Sequence, residues 1–285
     1  MAKGEWKGTT DLIDAAFAIL SEQQPMTIRQ LFYRLIGVGP LGNNQASYRK
    51  VSRMMTKARR DDRIPWEWIA DRTRPIYRPN VWKNPQEYAE AVSRSYRRDY
   101  WESQPCYIEI WCEKDTVIGS IQDLADELGI TVRVGRGFNS ETRAYEIAQI
   151  LGDSDKPNIV FFLGDHDASG VDIERDLKKR VLTHGSGDFV LRRLAIHKQD
   201  IAIFDLPPQR VKQSDPRAVA FLRTHGTECV ELDALPPNEL RLRIREEVEA
   251  LLDMAAWNKA INVEKAEKES IVKIVSAMPF SASPD

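Results

Sequence analysis

Cysteine, histidine and long apolar runs are scarce in this sequence of 285 residues. It has three cysteines and four histidines, and the cysteines lack the paired spacing of a zinc module. We therefore expect reduced, buried thiols and no disulfide framework. No apolar run approaches the roughly 18–20 residues of a membrane span, and the N-terminus lacks the apolar core of a signal peptide. These absences predict a cytoplasmic protein without a membrane partner.

The glycine-rich turn at Gly135-Arg-Gly137 lacks the third glycine of a dinucleotide fingerprint. This absence excludes an NAD-dependent dehydrogenase. The turn is still suited to approaching a phosphate, because glycine lets the backbone come close and Arg143 lies one turn into the helix predicted to follow. A simple tight turn is the alternative interpretation.

Charge is divided unevenly along the chain. Residues 1–100 carry 18 Lys and Arg against 11 Asp and Glu, whereas residues 101–285 carry 23 against 32. The net charge of −2 therefore conceals +7 in the first part and −9 in the second. This division indicates a polyanion-binding module joined to a metal-binding module, although charge also drifts along chains without functional cause.

The first hundred residues have the pattern of a winged helix-turn-helix. Apolar periodicity predicts helices over about 10–22, from Thr27 to a glycine loop, and over about 45–61. Thr27 and Gln30 have the spacing of a capping box, and a further helix is predicted over about 84–100 with Asn84 as its N-cap. Short segments at 63–69 and 76–78 predict the two strands of a wing. The third helix is basic, which is typical of a helix that enters a DNA groove.

Basic side chains on the third helix and the wing would contact phosphates of double-stranded DNA with little sequence preference. A solvated basic helix in an ordinary helical domain is the alternative. The residues predicted to bind DNA are Arg49, Lys50, Arg53, Lys57, Arg59, Arg60, Arg72, Arg74 and, in the second half of the chain, Arg143.

From residue 106 onward, predicted strands and helices alternate. Such alternation predicts a mostly parallel, Rossmann-like sheet with helices on both faces. The expected fold class is α/β, with a winged-helix domain at 1–104 and a metal-binding domain with a helical C-terminal extension at 105–285. The predicted strands are 106–112, 131–134, 158–163, 189–195 and 229–232.

Three carboxylates follow the ends of predicted buried strands. Glu113 follows the first strand, while Asp165 and Asp167 follow the third. Residues i and i+2 of an extended segment point to the same side, so the two aspartates would converge while His166 turns away. Ligands of such sheets bind at the carboxyl ends of the strands. Oxygen-only ligation suits Mg²⁺ or Mn²⁺ and phosphoryl transfer, although three unrelated surface acids remain the alternative.

A second pair of acids with i, i+2 spacing, Glu231 and Asp233, follows the strand predicted at 229–232. This pair could support a second metal ion, or it could be a solvated strand end. We favour the solvated strand end.

These motifs resemble a known family over about residues 25–235. Glu113 after a strand, followed by Asp165-His-Asp167-Ala-Ser-Gly170, resembles the Toprim domain of topoisomerases, primases and several nucleases. Arg29-Gln-Leu-Phe-Tyr33 resembles the active-site helix of the A subunit of type IIB topoisomerases (topoisomerase VI) and of the related meiotic double-strand-break protein, and the chain is similar to their small stand-alone relatives. Phe138-Asn139 departs from the family's Tyr-Pro.

The resemblance implies a DNA-cleaving enzyme. Tyr33 would attack a phosphate and form a 5′-phosphotyrosyl link, with Arg29 favouring the phenolate and Glu113, Asp165 and Asp167 holding Mg²⁺. In the family the tyrosine of one protomer meets the metal of the other, which implies a nucleoid-associated homodimer. Strand passage would need a separate ATPase subunit of the B type, because this chain contains no ATPase region.

Two other functions fit the same residues. One is a Toprim nuclease that hydrolyses DNA with activated water and uses Tyr33 only for packing. The other is a non-catalytic DNA-binding regulator, although a domain without a metal would gain nothing from buried like charges.

Overall fold

The structure, a computed structural model, describes residues 8–70, 79–135 and 140–277. Helices predominate, and short loops join them to the strands. In chain order the elements are α1 (Thr9–Gln23), α2 (Ile28–Val38), α3 (Gln45–Arg60), α4 (Pro85–Ser95), β1 (Tyr107–Cys112), α5 (Asp115–Leu128), β2 (Thr131–Val134), α6 (Glu141–Gly152), β3 (Asn158–Leu163), α7 (Ala168–Thr183), β4 (Phe189–Ala195), α8 (Lys198–Ile203), β5 (Gln209–Arg210), α9 (Ala218–Thr224), β6 (Glu228–Cys229), α10 (Pro237–Glu249) and α11 (Met254–Ala277).

The main sheet has four parallel strands in the order β2-β1-β3-β4, which confirms the α/β prediction. Cys112 lies opposite Val134 of β2 and Leu163 of β3, so the carboxyl ends of these strands are level with one another. The loops that leave β1 and β3 therefore emerge side by side at one edge of the sheet. The predicted acids lie on these loops.

Helices cover both faces of this sheet, as the alternating pattern predicts. On one face Trp111, Phe162 and Phe189 pack against α6 and α7 around a core that excludes solvent. On the other face α5 contacts β1 and α10 contacts β4. Both faces are buried, which is why β1 and β3 are nearly continuous apolar runs. The edge that bears the acids is thereby held rigidly.

The three N-terminal helices lie close to their predicted positions and pack against one another. Residues 63–69, however, do not form the predicted strand. A 3-10 turn occupies Trp66–Trp68, and Ile69 makes only an isolated bridge to Met26. Pro65 has no N–H for a strand ladder, and the Arg59 guanidinium lies 4.1 Å from the centre of the Trp66 ring. The second predicted wing strand falls outside the described residues.

Two other predicted elements differ from the structure. The strand expected at 229–232 is shortened to β6, which pairs antiparallel with β5 in a separate two-stranded sheet. A 3-10 turn at Leu232–Ala234 follows it and brings its acids back toward the main sheet. The helix expected at 84–100 ends at Ser95, although it begins with the predicted Asn84 cap.

The chain divides into two compact units. The first comprises residues 1–74 and 107–249, and the second comprises residues 75–106 and 250–285. This grouping by contacts does not test the predicted functional domains at 1–104 and 105–285, which stay a prediction. In the second unit α4 packs against α11, and the Trp257 ring lies edge-on to Tyr100, with ring centres 4.8 Å apart.

None of the helices in the described part of the chain is both long enough and apolar enough to cross a membrane. Cys106, Cys112 and Cys229 are buried, and no disulfide bond joins them.

Candidate functional site

The three predicted metal ligands lie together at the carboxyl edge of the sheet. Glu113 follows β1 directly, and its Oε2 accepts a hydrogen bond from the backbone N–H of Asp165 at 2.9 Å. Asp167 is the N-cap of α7, where its Oδ1 accepts from the backbone N–H of Gly170 at 2.7 Å. His166 turns away, and its ring lies against aromatic side chains of α9 and the residues after it. The three acids therefore lie at one edge of the sheet, and their convergence on a metal ion stays a prediction.

Two glycines make room for the Glu113 carboxylate. A Cβ atom at Gly164 or at Gly170 would lie 2.9 Å from Oε2 of Glu113, closer than ordinary van der Waals contact allows. At Gly170 the added atom would also lie 2.4 Å from the backbone oxygen of Asp165. The glycine of the Asp-His-Asp-Ala-Ser-Gly motif is therefore required mainly by the close approach of the Asp165 backbone, with the Glu113 carboxylate as a second neighbour.

Arg193 of β4 supports the turn that carries the two aspartates. Its guanidinium donates to the backbone oxygen of Gly164 at 2.9 Å and to that of Asp165 at 3.1 Å. Its Nε donates to Glu174 of α7 at 2.7 Å. The planar fork of arginine reaches all these acceptors at once, which a lysine could not. Sequence reasoning missed this residue, because an arginine inside a strand carries no signal of which loop it holds.

Glu231 and Asp233 belong to the same site, so their interpretation as a solvated strand end is wrong. The Asp233 side chain has no exposed surface, and that of Glu231 is 21% exposed. The Lys114 ammonium forms ion pairs with both acids and offsets the cost of burying them. Its Nζ lies 2.9 Å from Oε2 of Glu231 and 3.0 Å from Oδ2 of Asp233. The i, i+2 spacing was the signal for this pair, but the sequence does not reveal that Lys114 lies beside it.

Helix α2 brings Arg29 and Tyr33 to these acids. The helix begins with the predicted capping box, in which Thr27 and Gln30 bond to each other's backbone N–H groups. Arg29 and Tyr33 are four residues apart and therefore share one face of the helix. Arg29 makes a forked ion pair with Glu231, with its Nε 2.9 Å from Oε2 and its Nη2 2.6 Å from Oε1.

The Tyr33 hydroxyl lies in the same network. The side chain is only 4% exposed, and the hydroxyl donates to Glu231 and accepts from Nε2 of Gln209 at 3.4 Å. Burial and the negative charge of Glu231 raise the pKa of Tyr33, whereas Arg29 lowers it. The expected effect of Arg29 on the phenolate is therefore present but outweighed. In this arrangement Tyr33 is a protonated phenol that is hydrogen-bonded to the Glu231 carboxylate.

Changing Glu231 to Gln is expected to lower the pKa of Tyr33, because it removes the neighbouring negative charge and frees Arg29. The measurement is a titration of phenolate absorbance, with the curve of the corresponding Tyr33→Phe protein subtracted so that Tyr33 alone contributes. Glu228→Gln, an exposed change on β6, is the matched control and should leave the titration unchanged. An unmoved titration in the Glu231→Gln protein would contradict the role given to Glu231.

A cleft of about 430 Å³ opens beside these residues. Its lining combines acidic side chains with basic and polar ones. None of the nine residues predicted to bind DNA is among the described residues that line it. The lining includes Arg29, Lys114, Asp165, Asp167, Gln209, Arg210, Lys212, Glu231 and Asp233.

The basic residues of α3 form a surface of their own. The helix buries Val51, Met55 and Ala58 and leaves the opposite side to solvent. The Arg59 side chain differs from the rest because it stacks on Trp66 and is half-buried. The exposed members of this predicted DNA-binding set are Arg49, Lys50, Arg53, Lys57 and Arg60.

Three other predicted DNA-binding residues lie away from this helix in the sequence. Arg72 and Arg74 fall outside the described residues. Arg143 is exposed on α6 and pairs with Glu146 at 2.6 Å. The glycine turn before it approaches Glu113 closely, since a Cβ atom at Gly135 would lie 2.0 Å from the Glu113 backbone oxygen. Residues 136–139 of this turn are also outside the described part.

The acids fit a divalent cation by their chemistry. Burial and Asp167 raise the pKa of Glu113, and burial raises the pKa of Asp165 to about 7 against the opposing effect of Lys114. A cation would relieve this cost, and carboxylate oxygens are the ligands that Mg²⁺ and Mn²⁺ prefer. As the side chains lie, no three His, Cys, Asp or Glu residues in the described part are arranged to hold a metal ion. The carboxylates of Glu113 and Asp167 instead accept hydrogen bonds from backbone N–H groups.

No protein-family model matches the chain, and no curated protein matches it significantly. Support for a function therefore comes from the residues of the site.

Proposed function

We propose that this chain is a metal-dependent DNA-cleaving enzyme similar to the A subunit of type IIB topoisomerases. Glu113, Asp165 and Asp167 would hold Mg²⁺ or Mn²⁺, and Tyr33 would be the nucleophile. The proposal includes the finer fold assignment, a winged helix-turn-helix followed by a Toprim domain. The observation that carries it is that Tyr33 from the N-terminal helices contacts Glu231, which Lys114 links to Asp233 and Asp165, beside Glu113 and Asp167.

The chemistry divides between the ion and the side chains. When bound, the ion would neutralise charge on the phosphoryl oxygens and stabilise the leaving 3′ oxygen. The Tyr33 oxygen would attack phosphorus and displace that 3′ oxygen, while the Tyr33 proton passes to a neighbouring base. Glu231 accepts a hydrogen bond from the Tyr33 hydroxyl and is therefore placed to take this proton. Lys114 and Arg29 oppose that step, since they hold the pKa of Glu231 down at about 2 against the effect of burial.

The exposed basic side of α3 would hold double-stranded DNA through its phosphates, together with Arg72, Arg74 and Arg143. A homodimer would cut both strands, one with each Tyr33. Within a single chain, Tyr33 already contacts Glu231 of its own cluster, so an exchange of tyrosines between protomers would require it to leave this contact. An ATPase subunit would be needed only for strand passage.

A second candidate function is hydrolysis of DNA by water activated at the same acids. The burial of Tyr33 and the raised pKa of its phenol favour this candidate, because a protonated, enclosed tyrosine is a poor nucleophile. In this case Arg29 and Tyr33 would serve to hold Glu231 in place.

Incubation with supercoiled plasmid and Mg²⁺ or Mn²⁺, stopped with detergent, separates the two candidates. Nicked or linear DNA that enters a gel only after protease treatment indicates a tyrosyl link. The same products without a need for protease indicate hydrolysis. Chelation of the ion should remove both. DNA that binds the protein but stays uncut with either ion would contradict the proposed enzyme and favour a regulator.

A further inference from the structure

Lys114 lies between the two groups of acids. Its Nζ is 2.9 Å from Oδ2 of Asp165, 2.9 Å from Oε2 of Glu231 and 3.0 Å from Oδ2 of Asp233. An ammonium group has three N–H donors, and each has a carboxylate oxygen within reach. The side chain is 20% exposed, so its charge is compensated mainly by these acids rather than by water.

This position has the properties of a cation site. Three carboxylate oxygens lie within 3.0 Å of the Lys114 ammonium, so its positive charge stands where a cation bound by these acids would stand. Arg29 adds a second fixed positive charge to Glu231 and lies 3.7 Å from Asp233. The pair Glu231 and Asp233 is thus neutralised by side chains of the protein itself.

Among the described residues, no arginine or lysine side chain pairs directly with Glu113 or Asp167. Each accepts a hydrogen bond from a backbone N–H group. Asp165 lies between the two groups, with Oδ2 on Lys114 and Oδ1 on the backbone N–H of Leu232. In the described part of the chain, the carboxylates of this site that lack a directly paired cation are therefore Glu113 and Asp167.

We propose that the Lys114 ammonium takes the place of a second divalent ion, so that the site binds a single Mg²⁺ or Mn²⁺ on the side of Glu113 and Asp167. This inference rests on the proposed function. Two-metal phosphoryl-transfer sites clamp a phosphate between ions about 3.5–4 Å apart. Here one ion would contact the phosphate of DNA, and Lys114 would hold Asp165, Glu231 and Asp233 in place of a second ion.

The test counts bound Mn²⁺ by titration calorimetry and by the loss of the free-ion signal in electron paramagnetic resonance. The native chain should bind one Mn²⁺. Lys114→Met keeps the length and apolar stem of the side chain but removes its charge, leaving Asp165, Glu231 and Asp233 open to an ion. This variant should bind two. Lys212→Met removes a lysine from the same cleft without disturbing the acids and should still bind one.

Lys114→Gln guards against misfolding of the methionine variant, because an amide still donates hydrogen bonds to two carboxylates. It should also bind two Mn²⁺, with a circular dichroism spectrum like that of the native chain. Two ions in the native chain, or one in a folded Lys114 variant, would overturn the inference and leave the proposed metal site intact. No bound ion in the native chain would overturn both the inference and the proposed metal site.

Discussion

Changing Asp167 to Asn should lower Mg²⁺-dependent DNA cleavage by roughly 1,000-fold while leaving DNA binding unchanged. A metal ion in phosphoryl transfer contributes several kcal/mol of charge stabilisation, and each 1.4 kcal/mol corresponds to about tenfold in rate. Asp167 is half-buried and bonds only to a backbone N–H in the contacts described above. Its negative charge is therefore available to an ion.

The substitution removes the negative charge of Asp167 while leaving the local fold intact. Asparagine caps helices as well as aspartate does, so it should keep the hydrogen bond to Gly170 and the start of α7. Plasmid cleavage is measured as initial rate, and binding is measured with the same DNA in the presence of a chelator. Asp176→Asn, which removes a carboxylate paired with Arg180 farther along α7, is the control and should retain activity. Cleavage near the native rate in the Asp167→Asn protein would show that the ion is held elsewhere.

The positions of the acids were predictable because they depend on strand direction. Apolar runs long enough for buried strands end just before Glu113 and just before Gly164, and parallel strands place these ends at one edge. The helix starts at Thr27 and Asn84 were predictable for a similar reason, since a cap depends on residues within one turn. Residues close together in the chain determine these strand ends and helix caps, so both can be predicted from the sequence.

The partners of the acids were not predictable in the same way. Lys114 meets Glu231 across more than a hundred residues of chain, and Arg193 reaches the turn after β3 from a different strand. Such contacts depend on how the segments fold together. The predicted strand at 63–69 failed for a related reason, because stacking of Trp66 on Arg59 of the preceding helix stabilises a turn in place of a strand.

Changing Tyr33 to Phe is expected to lower the yield of covalent protein–DNA adduct by at least about 1,000-fold, because the attacking oxygen is removed. Phenylalanine fills the same buried space, so the free energy of unfolding should change only by the loss of the hydroxyl's hydrogen bonds, about 1–2 kcal/mol. DNA binding and Mn²⁺ binding should be unchanged. The adduct is measured as DNA retained with denatured protein after a detergent stop.

Tyr48→Phe is the matched control for this experiment. Tyr48 lies on α3 with its ring 5.5 Å from that of Phe32 and 6.0 Å from the Arg29 guanidinium, so it shares the surroundings of Tyr33 without reaching Glu231 in the described contacts. Its loss should leave adduct formation near the native level. Adducts that persist in the Tyr33→Phe protein would assign the nucleophile to another residue. Cleavage that persists without any adduct would instead support hydrolysis by water at the same acids, with Tyr33 fixing Glu231 in place.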